Sequence, residues 1–219
     1  MHVEIGSFVY LCLSEMSFVK FQTPLTMILS GCTSSGKTTF VKKLIENSNG
    51  MFSQKPDVVY YFYGCYQPVF ESIKGVKFIQ GLPNSFEPYF DTSLHVFAII
   101  DDLQAEAASS KAVESLFTRD SHHKNFSVCI LNQNLFYQGK FCRTIALNCH
   151  VYVLFKNPRS NSQIKILQSQ TGIYGLVDFY NDALKEPFGY LVVDLSPLSE
   201  PEYKVRTKIF PGEYTIVYK

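Results

Sequence analysis

The sequence predicts an α/β fold in which a mostly parallel sheet is flanked by helices and finishes in antiparallel edge strands. Three features point there. Apolar runs of strand length recur along the chain, segments of helical periodicity separate several of them, and after Pro187 the pattern shortens to strands broken by turn residues. The runs cover residues 25–30, 58–63, 76–80, 96–100, 127–131 and 151–155, and most are continuous enough to be buried on both faces. Helical spacing predicts helices over 37–47, 68–73, 105–118, 163–170 and 173–184. In the tail, Ser196-Pro197 and Pro211-Gly212 separate three short runs, 190–195, 203–209 and 214–218, which read as antiparallel edge strands. Residues 1–20 read as an extra strand or a loose arm of unclear role, and residues 21–219 as a single domain.

Composition narrows the function classes. With 219 residues, 46% hydrophobic and 18% charged, the chain has enough apolar material to fold and too little charge to be disordered. Its formal charge of +1 gives no sign of the strongly basic face of a dedicated duplex-binding module, so any nucleic-acid contact is expected to be local. Only four residues are arginine: Arg119, Arg143, Arg159 and Arg206. The six cysteines are scattered singly, without a Cys-x-x-Cys pair or zinc-finger spacing, which suits a reduced, intracellular protein with buried thiols. The apolar run at 8–13 is too short to span a bilayer and has no basic residue ahead of it, so neither a membrane span nor a secretory signal is expected.

The strongest chemical signal is Gly31-Cys32-Thr33-Ser34-Ser35-Gly36-Lys37-Thr38, followed by Thr39, which fits G-x-x-x-x-G-K-[ST] at every position. A β-prone run leads into it, and Phe40, Val41, Leu44 and Ile45 follow at helical spacing. Strand, loop and helix thus occur in the order that phosphate binding needs. Gly31 and Gly36 are expected to take positive φ and let backbone N–H groups approach phosphate oxygens. Lys37 would reach the β and γ phosphates of a nucleotide, and Thr38 would place its hydroxyl on Mg²⁺. The plainer reading is a Gly/Ser-rich turn capping a helix.

A second run, His95-Val96-Phe97-Ala98-Ile99-Ile100, ends in Asp101-Asp102. A buried strand of this kind delivers its acids to the carboxyl edge of the sheet, where ligands bind in open α/β folds. Asp101 would hold Mg²⁺, and Asp102 would orient and deprotonate the attacking water. Alone, such a pair can simply cap the next helix. The run at 126–131 ends in Asn132-Gln133, and Gln133 is either a γ-phosphate sensor or a turn residue with satisfied amides. His122-His123 lacks a partner ligand at suitable spacing and reads as a polar loop.

With these three features in this order, the chain resembles the HerA/FtsK superfamily of P-loop ATPases, and more closely the genome-packaging ATPases of poxvirus-type viruses and of Maverick/Polinton (adintovirus-like) elements. The phrases that carry the likeness run from residue 21 to the end. Besides the two NTPase motifs they are Phe117-Thr118-Arg119-Asp120-Ser121-His122-His123-Lys124-Asn125, Gln133-Asn134-Leu135, Arg143-Thr144-Ile145-Ala146-Leu147-Asn148 and Phe155-Lys156-Asn157-Pro158-Arg159. The resemblance implies a P-loop NTPase fold, ATP with Mg²⁺, double-stranded DNA as the track, a homo-oligomeric ring and a capsid or portal-like partner. It also implies a host-cell setting, in nucleus or cytoplasm, or association with a virion. Lys37, Thr38, Asp101, Asp102 and Gln133 keep their site roles under it, and Arg159 or Arg143 supplies the finger that acts on a neighbour's nucleotide. Cys32 and Ser35 stand where relatives tend to have smaller or glycine residues, Ser160 where they often carry an acid, and residues 1–20 fall outside the likeness.

The expected function is therefore an ATP-driven DNA translocase that packages a genome. One alternative is a non-catalytic or weakly active nucleotide-binding module derived from such a motor. Another is a small nucleotide kinase, against which stands the lack of an arginine-rich lid, with four arginines spread along the chain.

Overall fold

The computed structural model describes residues 19–159 and 161–219, together with the backbone of two N-terminal strands, β1 (His2–Ile5) and β2 (Phe8–Leu13). The rest of the predicted N-terminal strand or arm, and Ser160, lie outside the described residues.

The phosphate-loop motif joins β3 (Thr26–Ser30) to α1 (Lys37–Glu46), and a short helix, α2 (Ser48–Met51), follows. Next come β4 (Val58–Tyr63), a 3₁₀ turn at Pro68–Ser72, β5 (Val76–Gln80) and the acid-tipped β6 (Val96–Asp101). The single helix expected over 105–118 is instead α3 (Gln104–Ser109), α4 (Lys111–Ser115) and a π turn at Leu116–Asp120, continued by α5 (Ser121–His123). Ser110 makes the break: its backbone is extended at φ −84° and ψ 115°, and its hydroxyl accepts from the Val113 N–H at 3.3 Å. A serine that caps a new helix satisfies an N–H that continuing the old one would not need, which is why the helical spacing misreads this point. The chain then forms β7 (Phe126–Asn132), α6 (Cys142–Leu147), β8 (Val151–Phe155), α7 (Asn161–Thr171) and α8 (Leu176–Ala183). The tail supplies β9 (Tyr190–Asp194), β10 (Val205–Thr207) and β11 (Thr215–Tyr218).

These strands make one sheet in the order β1-β2-β11-β10-β9-β8-β3-β7-β6-β4-β5. From β8 to β5 every neighbouring pair is parallel, and from β8 outward through β9, β10, β11, β2 and β1 every pair is antiparallel. The expected α/β architecture with antiparallel C-terminal strands is thus present, and β1 and β2 extend that edge.

Continuous apolar runs suit this sheet because its two faces feed two cores. Ile28, Phe62, Ile100, Ile130 and Leu154 point into one, while Leu29, Tyr61, Ile99, Leu131 and Val153 point into the other. Helix α1 covers the second core with Phe40, Val41 and Leu44. The Phe40 ring meets Phe155 at 5.7 Å and Tyr190 and Phe210 at 5.0 Å, which fixes the helix and the loop before it against β8 and β9.

In the antiparallel half, Arg206 of β10 donates to the Asp194 Oδ2 of β9 at 2.9 Å, with both side chains fully buried. Burial lowers the Arg206 pKa and the Asp194 charge opposes that shift. Removing one partner of a buried pair strands the other charge, at a cost of about 3–5 kcal/mol. Asp194→Ala is therefore expected to lower the urea midpoint sharply, and a midpoint within error of wild type would show the pair to be dispensable.

Candidate active site

Parallel register brings the predicted residues to one edge. Ser30 at the end of β3 lies opposite Asn132 of β7 and Leu154 of β8, and Asp101 of β6 lies opposite Leu131. The loop after β3, the acids of β6, Gln133 after β7 and the turn after β8 all leave the sheet at its carboxyl edge. Thr33, Ser34, Ser35, Gly36, Lys37, Thr38, Thr39, Asp101, Asp102 and Gln133 line a single cleft of about 710 Å³.

The loop is tied by hydrogen bonds to the ends of its two neighbouring strands. Gly31 N–H donates to the Asn132 carbonyl at 3.2 Å, and Cys32 N–H and thiol both donate to the Lys156 carbonyl, at 3.3 and 3.1 Å. Gly36 has φ +106°, as expected, and starts α1. Gly31 is a correction: it does not have positive φ, and it is glycine because a Cβ there would lie 2.5 Å from the Phe155 Cβ. Ser34 takes the left-handed conformation at φ +61°. The Ser35 hydroxyl oxygen is buried with no partner.

The Lys37 ammonium curls back onto its own loop, donating to the carbonyls of Gly31 at 2.6 Å and Cys32 at 2.9 Å. Burial lowers its pKa, and the nearby Asp101 carboxylate opposes that shift. Asp101 is 6% exposed, and burial raises its pKa against the Tyr61 hydrogen bond and the Lys37 charge. Tyr61, a residue the sequence did not single out, donates its hydroxyl to Asp101 Oδ2 at 2.7 Å, and burial raises its pKa with Thr38 opposing that shift. Thr38 and Asp101 both line the cleft with side-chain oxygens, a donor set of the hard-oxygen kind that suits Mg²⁺.

Asp102 is exposed and sits at φ +56°, a conformation that aspartate tolerates better than most residues. Gly64 closes behind it: its N–H donates to the Asp101 carbonyl at 3.0 Å, and a Cβ at Gly64 would lie 2.2 Å from the Asp102 carbonyl oxygen. The Cys65 thiol is exposed, and the neighbouring Asp102 carboxylate raises its pKa. The only prior sign of this support was a lone glycine directly after an apolar strand.

Gln133 N–H donates to the Gln104 side chain at 3.3 Å, and its carbonyl accepts from the Asn157 amide at 2.9 Å. Asn157 also accepts from Arg159 N–H at 3.1 Å, so one amide couples the Gln133 turn to the Arg159 turn. Arg159 and Arg143 are both exposed, and neither lines the cleft. His122 and His123, expected in a polar loop, instead end the short helix α5, and the His122 ring lies 5.1 Å from that of His150.

No protein-family model and no curated protein matches the sequence. Solved structures do. B204, the DNA-packaging ATPase from Sulfolobus turreted icosahedral virus, aligns with TM-score 0.55 at 10% identity, covering 89% of this chain and 97% of that one. The genome-packaging NTPase B204 from Sulfolobus turreted icosahedral virus 2 aligns with TM-score 0.52 at 12% identity in its complex with AMPPCP, again over 89% and 97% of the two chains. Its complex with ATP-γ-S gives TM-score 0.51 at 11% identity over the same shares. At such identities the likeness is one of fold, and the fold of this chain is that of P-loop ATPases, with a mostly parallel sheet and antiparallel C-terminal strands.

Proposed function

We propose that this chain is an ATP-hydrolysing double-stranded DNA translocase, the genome-packaging motor of a virus or virus-like mobile element of the HerA/FtsK superfamily. The observation that carries the reading is the meeting of Lys37, Thr38, Asp101, Asp102 and Gln133 in one cleft at the carboxyl edge of the sheet. The likeness in fold to B204 and the four specific phrases support packaging over other uses of such a cleft.

In this reading the loop N–H groups and the Lys37 ammonium hold the phosphates, with Lys37 leaving its two loop carbonyls to do so. Thr38 and Asp101 are the residues that would hold Mg²⁺, which when bound neutralises charge on the β and γ phosphates. Asp102 accepts the proton of the attacking water, and Gln133 orients that water by accepting and donating through its amide. An arginine from the neighbouring subunit completes the site in a homo-oligomeric ring. A formal charge of +1 leaves the duplex contact to a few lysines per subunit, multiplied around that ring. No helix among the described residues is long and apolar enough to cross a membrane. A capsid or portal-like protein in the infected cell is the partner this function requires.

The test is ATP hydrolysis with and without linear duplex DNA, alongside the mass of the assembly. The expected result is turnover stimulated by duplex DNA in a closed multiple of the 25.0 kDa chain. ATP binding without turnover would identify a nucleotide-binding module instead, and phosphate transfer to a nucleoside monophosphate would identify a kinase.

A further inference from the structure

A second cleft of about 820 Å³ adjoins the phosphate cleft beside α1, and the two share Gly36, Thr39 and Phe188 as wall residues. A nucleotide whose phosphates lie on the loop must extend somewhere, and this adjoining space has Gly36 of that loop in its wall. Phe188 stands at the junction with 73% of its surface exposed, and a Cβ on Gly36 would be 3.5 Å from its ring.

The exposure of Phe188 is imposed by the turn that carries it. Its backbone has φ +59°, an unfavourable value for a bulky residue. Gly189 N–H closes the turn onto the Glu186 carbonyl at 3.1 Å, and a Cβ at Gly189 would lie 2.3 Å from the Ala183 carbonyl oxygen at the end of α8. The turn is thus pinned to α8 with a large ring held outward at the mouth of the phosphate loop. The charged residues of the same wall are paired with one another: Lys43 with Glu213 at 3.4 Å and Lys208 with Glu186 at 3.0 Å. Tyr214, 64% exposed, adds a second aromatic ring to this wall. The two exposed rings of this wall are those of Phe188 and Tyr214.

We infer that the second cleft receives the nucleobase, which stacks on Phe188 with Tyr214 as a further aromatic contact. The inference rests on the reading of Gly31–Thr38 as a triphosphate site, and it assigns the part of the ligand that the loop does not hold. Stacking of a base on an aromatic side chain contributes enough that alanine substitution weakens binding by roughly tenfold or more.

The experiment measures affinity of the full chain, with Mg²⁺ present, for ATP and for inorganic tripolyphosphate, which has the phosphates but no base. Phe188→Ala is expected to weaken ATP by about tenfold or more and to leave tripolyphosphate within about twofold of wild type, with Phe188→Tyr restoring ATP affinity and Tyr214→Ala giving a smaller loss of the same selective kind. Unchanged ATP affinity in Phe188→Ala, including a case where only the mass of the assembly changes, overturns the assignment. So does an equal loss for both ligands, since that marks damage to the loop. If wild-type protein binds neither ligand, the triphosphate reading itself fails and the base site falls with it, a pattern distinct from the other two.

Discussion

Lys37→Ala is expected to abolish measurable ATP binding while leaving the fold intact. The ammonium is largely desolvated, which lowers its pKa, yet Asp101 sits close enough to oppose that shift and favour the charged form. It already makes two short bonds, 2.6 and 2.9 Å, to the carbonyls of Gly31 and Cys32. Exchanging those for phosphate oxygens trades neutral acceptors for charged ones, and each charge-assisted bond contributes about 1.5–3 kcal/mol. Two such bonds lost together weaken binding by a factor on the order of 10²–10⁴. The fold should tolerate the change because Lys37 packs into neither core, whereas Phe40, Val41 and Leu44 of the same helix do. Calorimetric titration with Mg-ATP and a thermal melt check both halves. Tight ATP binding by a well-folded mutant would sink the phosphate-loop assignment.

The parallel half of the sheet was legible because its strands are buried on both faces, so consecutive apolar residues such as Val96 to Ile100 leave little room for another element. The same burial explains why Asp101 and Asp102 could be placed at a strand end from sequence alone. Local spacing failed where a side chain competes with the backbone: Ser110 caps α4 and cuts a helix that periodicity runs through. It also failed where a role is set by a distant neighbour. Gly31 is glycine because of Phe155, Gly64 because of Asp102, and Tyr61 matters because its hydroxyl reaches Asp101 across 40 positions of sequence. Phe188 gave no signal at all, since an aromatic near a Pro and a Gly reads as an ordinary turn.

Arg159→Ala should bind ATP normally and hydrolyse it about 10³-fold more slowly, because its guanidinium is proposed to act on the nucleotide of a neighbouring subunit. Arg159 leaves the sheet on the turn after β8, at the same edge as the phosphate loop, but it is exposed and does not line its own cleft. That placement suits a residue whose target lies across a subunit boundary. Arg143 on α6 is also exposed and also absent from the cleft wall, so exposure alone does not separate the two. Asn157 does. Its side chain holds Arg159 N–H at 3.1 Å and the Gln133 carbonyl at 2.9 Å, and its own N–H donates to Tyr180, whose hydroxyl donates to the Phe155 carbonyl at 2.9 Å. The Arg159 turn is thereby fixed to β8 and to the residue proposed to orient water, a coupling by which the γ-phosphate state of a subunit's own cleft bears on the arginine that the same subunit is proposed to extend to its neighbour's nucleotide. Mixed rings give the decisive measurement. Arg159→Ala lacks a finger and Lys37→Ala lacks a phosphate site, so each is inactive alone, but a ring containing both can set an intact loop beside an intact arginine. Recovery of ATPase activity on mixing is the expected result, with duplex DNA present. If Arg159→Ala alone hydrolyses ATP at the wild-type rate in an assembled ring, the role passes to Arg143, and the Asn157 link serves only to hold the turn.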